Sequence, residues 1–154
     1  MSKLPQSSVR EKLYNLCIDY VRQRMDEAED AIRVIQRSAN EETKSSAGDK
    51  YETGRAMAQI EIEKSMVQLA EAKKLNQVLI QIKPGAYETV QLGSVAITTQ
   101  GNFYLTISAG KLSVDNETFF AISPASPIGM KLSGKAKGES FNFNGKEFVV
   151  KEVL

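Results

Sequence analysis

The chain has 154 residues with 20 basic and 19 acidic side chains, so its formal net charge is +1. A charge this close to balance gives no field that would select nucleic acid by itself. With no histidine and a single cysteine, Cys17, the sequence excludes histidine-based catalysis, the commonest zinc sites and an internal disulfide. We expect a cytoplasmic protein, and since no apolar run approaches the roughly 20 residues of a membrane span, no membrane partner.

The first half of the chain carries two amphipathic helical patterns. The first should begin near Ser8, where Ser8 and Glu11 fit a capping box, and continue to about Ala39. Its apolar residues follow each other at alternating steps of four and three, which is a heptad seam. The seam consists of Tyr14, Ile18, Val21, Met25, Ala28, Ile32 and Ile35.

A second helix should run from about Lys50 to Ile82, before the helix-breaking Lys83-Pro84-Gly85. Its own seam has smaller residues: Ala58, Ile62, Ser65, Leu69, Ala72, Asn76 and Leu79. Two such helices joined by a short turn predict an antiparallel coiled-coil hairpin over residues 1–83, with its tip near residues 40–55.

Residues 84–154 change to β-branched and aromatic residues punctuated by glycine. Alternating residues before and after Gln100-Gly101-Asn102 predict one β-hairpin, and Thr118–Ile122 predicts another strand. Asn144-Gly145 between two apolar runs is the strongest hairpin signal of the chain. The proline- and serine-containing segment 123–134 has room for a short helix at most. The fold class is therefore α+β, with a small antiparallel β domain over residues 84–154.

The turn between the two helices contains two carboxylates three residues apart, Asp49 and Glu52. Asp49 would be a good helix N-cap, and Glu52 would complete a capping box. Alternatively, exposed oxygens at the end of a hairpin could hold a divalent cation together with ligands from a partner, because Mg²⁺ usually takes one or two protein carboxylates. Spacing alone favours the cap, and the two interpretations are compatible.

Three smaller features have ordinary structural interpretations. Gly54 marks either a later start of the regular helix or a close approach of another surface. Cys17 lies one residue off the first seam and is expected to be a small apolar filler. Three lysines, Lys131, Lys135 and Lys137, could contact an acidic surface of a partner, but a solvated loop is the favoured interpretation.

The arrangement resembles the bacterial Gre transcript-cleavage factors, GreA and GreB, over essentially the whole chain. The resemblance is carried by Gly48-Asp49-Lys50-Tyr51-Glu52 at the hairpin tip and by the segment Ser126–Lys135, where Ser-Pro-Ile is followed by Leu-Ser-Gly-Lys. The family has a Gly-Asp-x-x-Glu tip and a C-terminal domain with the FK506-binding-protein fold. After Glu52 the family usually continues with an Asn-Ala-Glu-Tyr-like run, whereas Thr53-Gly54-Arg55-Ala56-Met57 follows here.

The resemblance implies a monomeric factor that binds RNA polymerase and inserts its hairpin into the secondary channel, near the 3′ end of backtracked RNA. Asp49 and Glu52 would then hold a Mg²⁺ shared with the polymerase and assist its RNA cleavage, while Ser126, Pro127 and Ile128 would belong to the docking surface. Such a protein has no cofactor of its own and is not itself an enzyme.

Two alternatives remain open from the sequence. A secondary-channel regulator of the same architecture would bind without promoting cleavage. A coiled-coil chaperone or prolyl isomerase would instead work through its β domain, although a fold alone does not carry that function.

Overall fold

The computed structural model describes residues 6–45 and 49–154, and it opens with two long helices. Helix α1 spans Gln6–Ser45 and helix α2 spans Asp49–Ile80, with 40 and 32 residues. At about 1.5 Å rise per residue they are about 60 and 48 Å long. Helix α1 begins two residues before the predicted start and ends six residues after the predicted end. None of the helices in the described part of the chain is both long and apolar enough to cross a membrane.

Both predicted seams are confirmed by burial. All fourteen seam residues are buried or half-buried, and the small ones, Ala28, Ser65 and Ala72, are among the most enclosed. Three residues join the helices at one end, and at the other the Tyr14 hydroxyl donates to the Leu79 carbonyl at 3.2 Å. The helices therefore run antiparallel as a hairpin. The supercoil implied by the heptad spacing stays a prediction.

The second half of the described chain forms a six-stranded sheet with one short helix. The helix, α3, spans Pro127–Leu132 and lies between the fourth and fifth strands. The strands are β1 (Val95–Thr98), β2 (Gly101–Leu105), β3 (Gly110–Val114), β4 (Glu117–Ile122), β5 (Ser140–Phe143) and β6 (Lys146–Val153). Their order across the sheet is β3-β4-β2-β1-β6-β5.

The sheet is mostly antiparallel, as expected, with one parallel pair that makes it a mixed sheet. Strand β4 pairs parallel with β2, whereas the other neighbouring strands are antiparallel. The parallel pair arises because β3 occupies the edge and returns the chain through a hairpin, so that β4 enters between β3 and β2. Burial favours this order: Phe119 and Ala121 of β4 are buried, while most of β3 is exposed.

Two hairpins close through residues with positive φ. Asn144 and Gly145 have φ of 51° and 78°, as a two-residue turn matched to the strand twist requires. Asp115 and Asn116 do the same between β3 and β4, with φ of 50° and 66°. The Asn144-Gly145 hairpin and the β1–β2 hairpin are as the sequence predicts, whereas strand β3 was not predicted.

One face of the sheet is covered by α3. Its Leu132 belongs to a buried cluster with sheet residues, and Ile128 packs against the same cluster. The cluster consists of Val90, Ala96, Phe103, Leu105, Leu132, Phe148 and Val150. This arrangement fixes where α3 begins, and hence where the Ser126-Pro127-Ile128 segment lies.

The chain divides into two compact units. One contains the residues up to Asp19 together with Gln77–Leu154, and the other is Tyr20–Asn76. The first unit thus includes the beginning of α1 and the end of α2 as well as the sheet. The domain boundary between residues 83 and 84 stays a prediction.

Within the first unit, the start of α1 contacts the residues around the sheet. The Arg10 guanidinium lies 5.1 Å from the Tyr87 ring centroid, and the Tyr87 hydroxyl donates to the Lys83 carbonyl at 2.7 Å. Lys12 forms an ion pair with Asp115 at 3.2 Å, in the turn between β3 and β4. Tyr87 therefore contacts both α1 and Lys83, the third residue after the end of α2.

Candidate functional site

The acidic pair that the sequence singles out lies at the start of α2. Asp49 is the first residue of the helix, and Glu52 follows one helical turn later. Residues three apart on a helix are surface neighbours, so the backbone places both positions toward one side of the helix. The side chain of Glu52 is exposed. The side chain of Asp49 and residues 46–48 lie outside the described residues, and so does the predicted cap.

Helix α2 is continuous through Gly54. The regular helix therefore does not begin after Gly54. The other interpretation, that another surface approaches closely at Gly54, stays a prediction. Glycine in a helix interior costs about 1 kcal/mol relative to alanine. The first turns of α2 are therefore weaker in intrinsic helix propensity than the turns that follow.

The two carboxylates at this end of α2 are of the ligand type that hard cations take. Mg²⁺ prefers carboxylate oxygens and commonly binds one or two of them, completing its shell with water or substrate oxygens. Among the side chains that the structure describes, residues 9–41 and 52–154, no three histidine, cysteine or acidic groups come together as a metal site.

The predicted docking residues form the start of α3. Ser126 is its N-cap: the Ser126 hydroxyl accepts from the Gly129 amide at 3.1 Å and donates to the Ser123 carbonyl at 2.6 Å. Pro127 occupies the first turn, where its missing amide is not needed. Ser126 and Ile128 thus have structural partners, whereas Pro127 is exposed.

Two further exposed residues lie on the same face of α3 as Pro127. Met130 is 64% exposed and Lys131 is exposed, and they follow Pro127 by three and four residues. On a helix this spacing gives a single face. The outward face of α3 is therefore Pro127, Met130 and Lys131, which the sequence could have indicated once the helix start at Pro127 was recognised.

Gly129 explains why the turn before α3 is so closely packed. A Cβ atom at this position would lie 2.1 Å from the Ser123 carbonyl oxygen and 2.8 Å from the Ser126 hydroxyl oxygen. Only glycine leaves room for the backbone of the preceding turn, and this closeness holds the Ser126 cap in place.

Cys17 is a buried residue, in agreement with the filler interpretation. The Thr106 hydroxyl lies 4.0 Å from its sulfur atom. Burial raises the pKa of the Cys17 thiol from its ordinary 9.0 to about 11, and the Thr106 contact opposes this. Burial likewise raises the pKa of Tyr104 above its usual range. A protonated, enclosed thiol is a poor nucleophile.

The three lysines of the C-terminal half are solvated to different degrees. Lys131 and Lys137 are exposed, and Lys135 is half-buried. Within the described ranges, none of them forms an ion pair. The solvated-loop interpretation fits Lys137, whereas Lys131 lies on the exposed face of α3.

The comparisons with known proteins are limited to solved structures. No protein-family model matches the sequence, and no curated protein matches it. One similar structure is that of the transcription factor Gfh1, with 20% identity over 88% of this chain and 91% of that one and a TM-score of 0.34. Another is GreA factor homolog 1 (Gfh1) of Thermus thermophilus, with 19% identity over 88% of this chain and 93% of that one and a TM-score of 0.35.

The matched proteins carry names from the family that the sequence resembles. At TM-scores below 0.5 the chains do not superpose as wholes, so these matches by themselves assign no function to this protein.

Proposed function

We propose that this protein is a cytoplasmic, Gre-like factor that binds RNA polymerase as a single copy and stimulates cleavage of backtracked RNA. The observation that carries the proposal is the position of Asp49 and Glu52, one helical turn apart at the start of α2, which only three residues separate from the end of α1. The tip and the Ser126–Lys135 segment resemble those of the Gre factors, and this resemblance is the reason for proposing RNA polymerase as the partner.

The chemistry needs very little from this chain. In a two-metal phosphodiester hydrolysis, one ion activates water and the other stabilises the leaving oxygen. Asp49 and Glu52 would supply carboxylate oxygens to a Mg²⁺ that the polymerase also binds, and the same oxygens could orient a water molecule. The factor would thereby complete the polymerase's active centre near the RNA 3′ end without being an enzyme itself.

Docking would use the C-terminal half of the chain. The outward face of α3 presents an apolar side chain, Met130, between Pro127 and the cationic Lys131. Ser126 and Ile128 would support this face from beneath, Ser126 by capping the helix and Ile128 by packing into the core. A small apolar centre with a charged edge is typical of protein interfaces.

The proposal is tested with a stalled, backtracked polymerase complex and radiolabelled RNA. Asp49→Asn and Glu52→Gln keep side-chain size and remove the charge that attracts the cation. We expect each variant to bind polymerase with unchanged affinity and to lower the rate of RNA shortening at least tenfold. Glu61→Gln, at another exposed position of α2, is the matched control and should cleave normally. Parental cleavage by both tip variants would refute the metal-directed role.

A second candidate is a secondary-channel regulator that does not promote cleavage. It is favoured by Thr53-Gly54-Arg55, which replaces the family's usual run directly after Glu52. In this case the parent protein would compete with other channel ligands for polymerase, yet RNA in the stalled complex would keep its length at every Mg²⁺ concentration.

A further inference from the structure

Helix α2 has a second face with large apolar side chains, and this face is exposed. Ile60 and Val67 are 63% and 58% exposed and lie on this face, and the exposed Met57 and Met66 flank it on either side of the helix. Helix α1, over its described side chains, exposes one large apolar residue, Val34. The exposed large apolar side chains of the described helices are thus concentrated on α2, where Ile80 at the end of the helix is exposed as well.

The exposed face follows its own heptad spacing. We name its central residues the outer stripe; at alternating steps of four and three they are Ala56, Ile60, Glu63, Val67, Ala70 and Lys74, and all are exposed. At 3.6 residues per turn the outer stripe lies roughly 160 to 180° from the buried seam. A helix with apolar residues on opposite faces is typical of one with neighbours on both sides. The seam accounts for one neighbour.

We propose that the second neighbour is another copy of this chain, whose α2 packs antiparallel on the outer stripe. Charge is the reason. In a parallel pair equal positions meet, so Glu63 would face Glu63 and Lys74 would face Lys74. In an antiparallel pair Val67 can face Ala70 of the second copy, and Glu63 then faces its Lys74.

The charges at the edge of the stripe select the same register. With Val67 opposite Ala70 of the second copy, Lys64 lies beside Glu71 of the second copy, and symmetry repeats the contact. A shift of one heptad in one direction brings Lys64 beside its own equivalent, and a shift in the other direction does the same for Glu71. Both shifts place like charges together. None of Glu63, Lys64, Glu71 and Lys74 forms an ion pair within the described residues.

The pairing should be weak and dependent on concentration. Its centre has only Val67 and the small Ala70 from each copy, and the ion pairs at its edges are solvated. Such a dimer would cover the outer stripe, so it would compete with any other partner that packs on this face of α2. The inference does not rest on the proposed function.

A charge exchange tests the pairing and its register by sedimentation equilibrium from about 1 µM to about 1 mM. We expect the parent to shift from its 17.0 kDa chain mass towards twice that mass over this range. In a dimer of either variant, Lys64→Glu or Glu71→Lys, both contacts between position 64 of one copy and position 71 of the other join like charges. Each variant should therefore dimerise about tenfold more weakly or worse. The equimolar mixture of the two variants restores opposite charges at both contacts, and so does the double variant.

The control is Glu61→Lys, which changes the charge as Glu71→Lys does but on an exposed position outside the stripe and its edges. It should dimerise like the parent. Far-UV circular dichroism of every variant confirms that the helices are intact. A parent that stays at its chain mass throughout would overturn the inference, and so would a mixture that dimerises no better than the single variants.

Discussion

Gly129→Ala gives opposite expectations from helix propensity and from packing. In a helix interior, alanine is more stable than glycine by about 1 kcal/mol. At Gly129, however, the new Cβ would lie 2.1 Å from the Ser123 carbonyl oxygen and 3.0 Å from the Pro124 Cα atom. Both neighbours are backbone atoms, so relief requires the 123–126 turn to move by about 1 Å or more.

The magnitude follows from the contacts that this movement breaks. Overpacking of this kind costs about 1 to 3 kcal/mol, and loss of the Ser126 cap costs about 1 kcal/mol more. After subtracting the gain in helix propensity, we expect Gly129→Ala to destabilise the fold by about 1 to 3 kcal/mol. Urea unfolding followed by tyrosine fluorescence measures this in a chain that has no tryptophan. Met130→Ala, on the exposed side of the same helix, should change stability by less than about 0.5 kcal/mol.

Equal or greater stability of Gly129→Ala would refute the packing argument. It would mean that the preceding turn can move away from α3 without losing the Ser126 cap. The affinity of Gly129→Ala for polymerase is a second measurement, and it should be lower than that of the parent because a displaced α3 also displaces Met130.

Three further expectations concern Ser126, Lys12 and Cys17. Ser126→Ala removes the α3 cap and should cost about 1 kcal/mol in urea unfolding, whereas Ser126→Thr, whose hydroxyl can still accept from Gly129 and donate to Ser123, should retain most of the stability. Lys12→Ala breaks an ion pair whose side chains are 47% and 41% exposed, so the loss should stay below about 1 kcal/mol and shrink in high salt. Cys17 should resist alkylation in the folded protein at pH 8 and react after unfolding. Because the folded pKa is about 11 and the ordinary value is 9.0, the unfolded chain releases this proton first, and stability falls between about pH 9 and pH 11. Cys17→Ala should abolish about 2 kcal/mol of the fall between pH 8 and pH 10.5.

The parts of the fold that sequence predicts well are those fixed by local chemistry. Asn144-Gly145 closes the β5–β6 hairpin because both residues adopt positive φ with little strain. The two seams are periodic over seven positions each, and burial confirms every one of them. The start of α3 is also set by local chemistry, the Ser126 cap before Pro127, although the sequence indicated only room for a short helix within residues 123–134.

Strand β3 and the parallel pairing of β4 could not be predicted in the same way. Strand β3 is a sheet edge with mostly exposed residues, so its sequence has only Leu112 and Val114 as alternating apolar signals. Its turn, Asp115-Asn116, has the required residue types, but without a recognised strand before it the turn has no hairpin to close. The β2–β4 contact depends on where a whole hairpin inserts, and no local pattern specifies that.

The docking residues show how a motif differs from a surface. The Ser126-Pro127-Ile128 segment is recognisable in sequence, yet two of its three side chains support α3 from within. The exposed face of α3 instead includes Met130 and Lys131, which become neighbours of Pro127 only when the helix boundary is known. We therefore expect Met130→Ala to weaken polymerase docking more than it weakens the fold.

In helix α2, periodicity alone does not determine which face is buried, because the sequence has two stripes with heptad spacing. Both stripes have large apolar residues: Ile62, Leu69 and Leu79 lie in the buried seam, and Ile60 and Val67 lie in the exposed stripe, so apolar content alone separates them poorly. Charge decides between them. The outer stripe includes Glu63 and Lys74, which cannot be buried against a helix without charged partners, and the seam has no charged residue. The seam is therefore the face that is buried, and Ile60 and Val67 stay exposed on the outer stripe, where an antiparallel second copy would place opposite charges together as we propose.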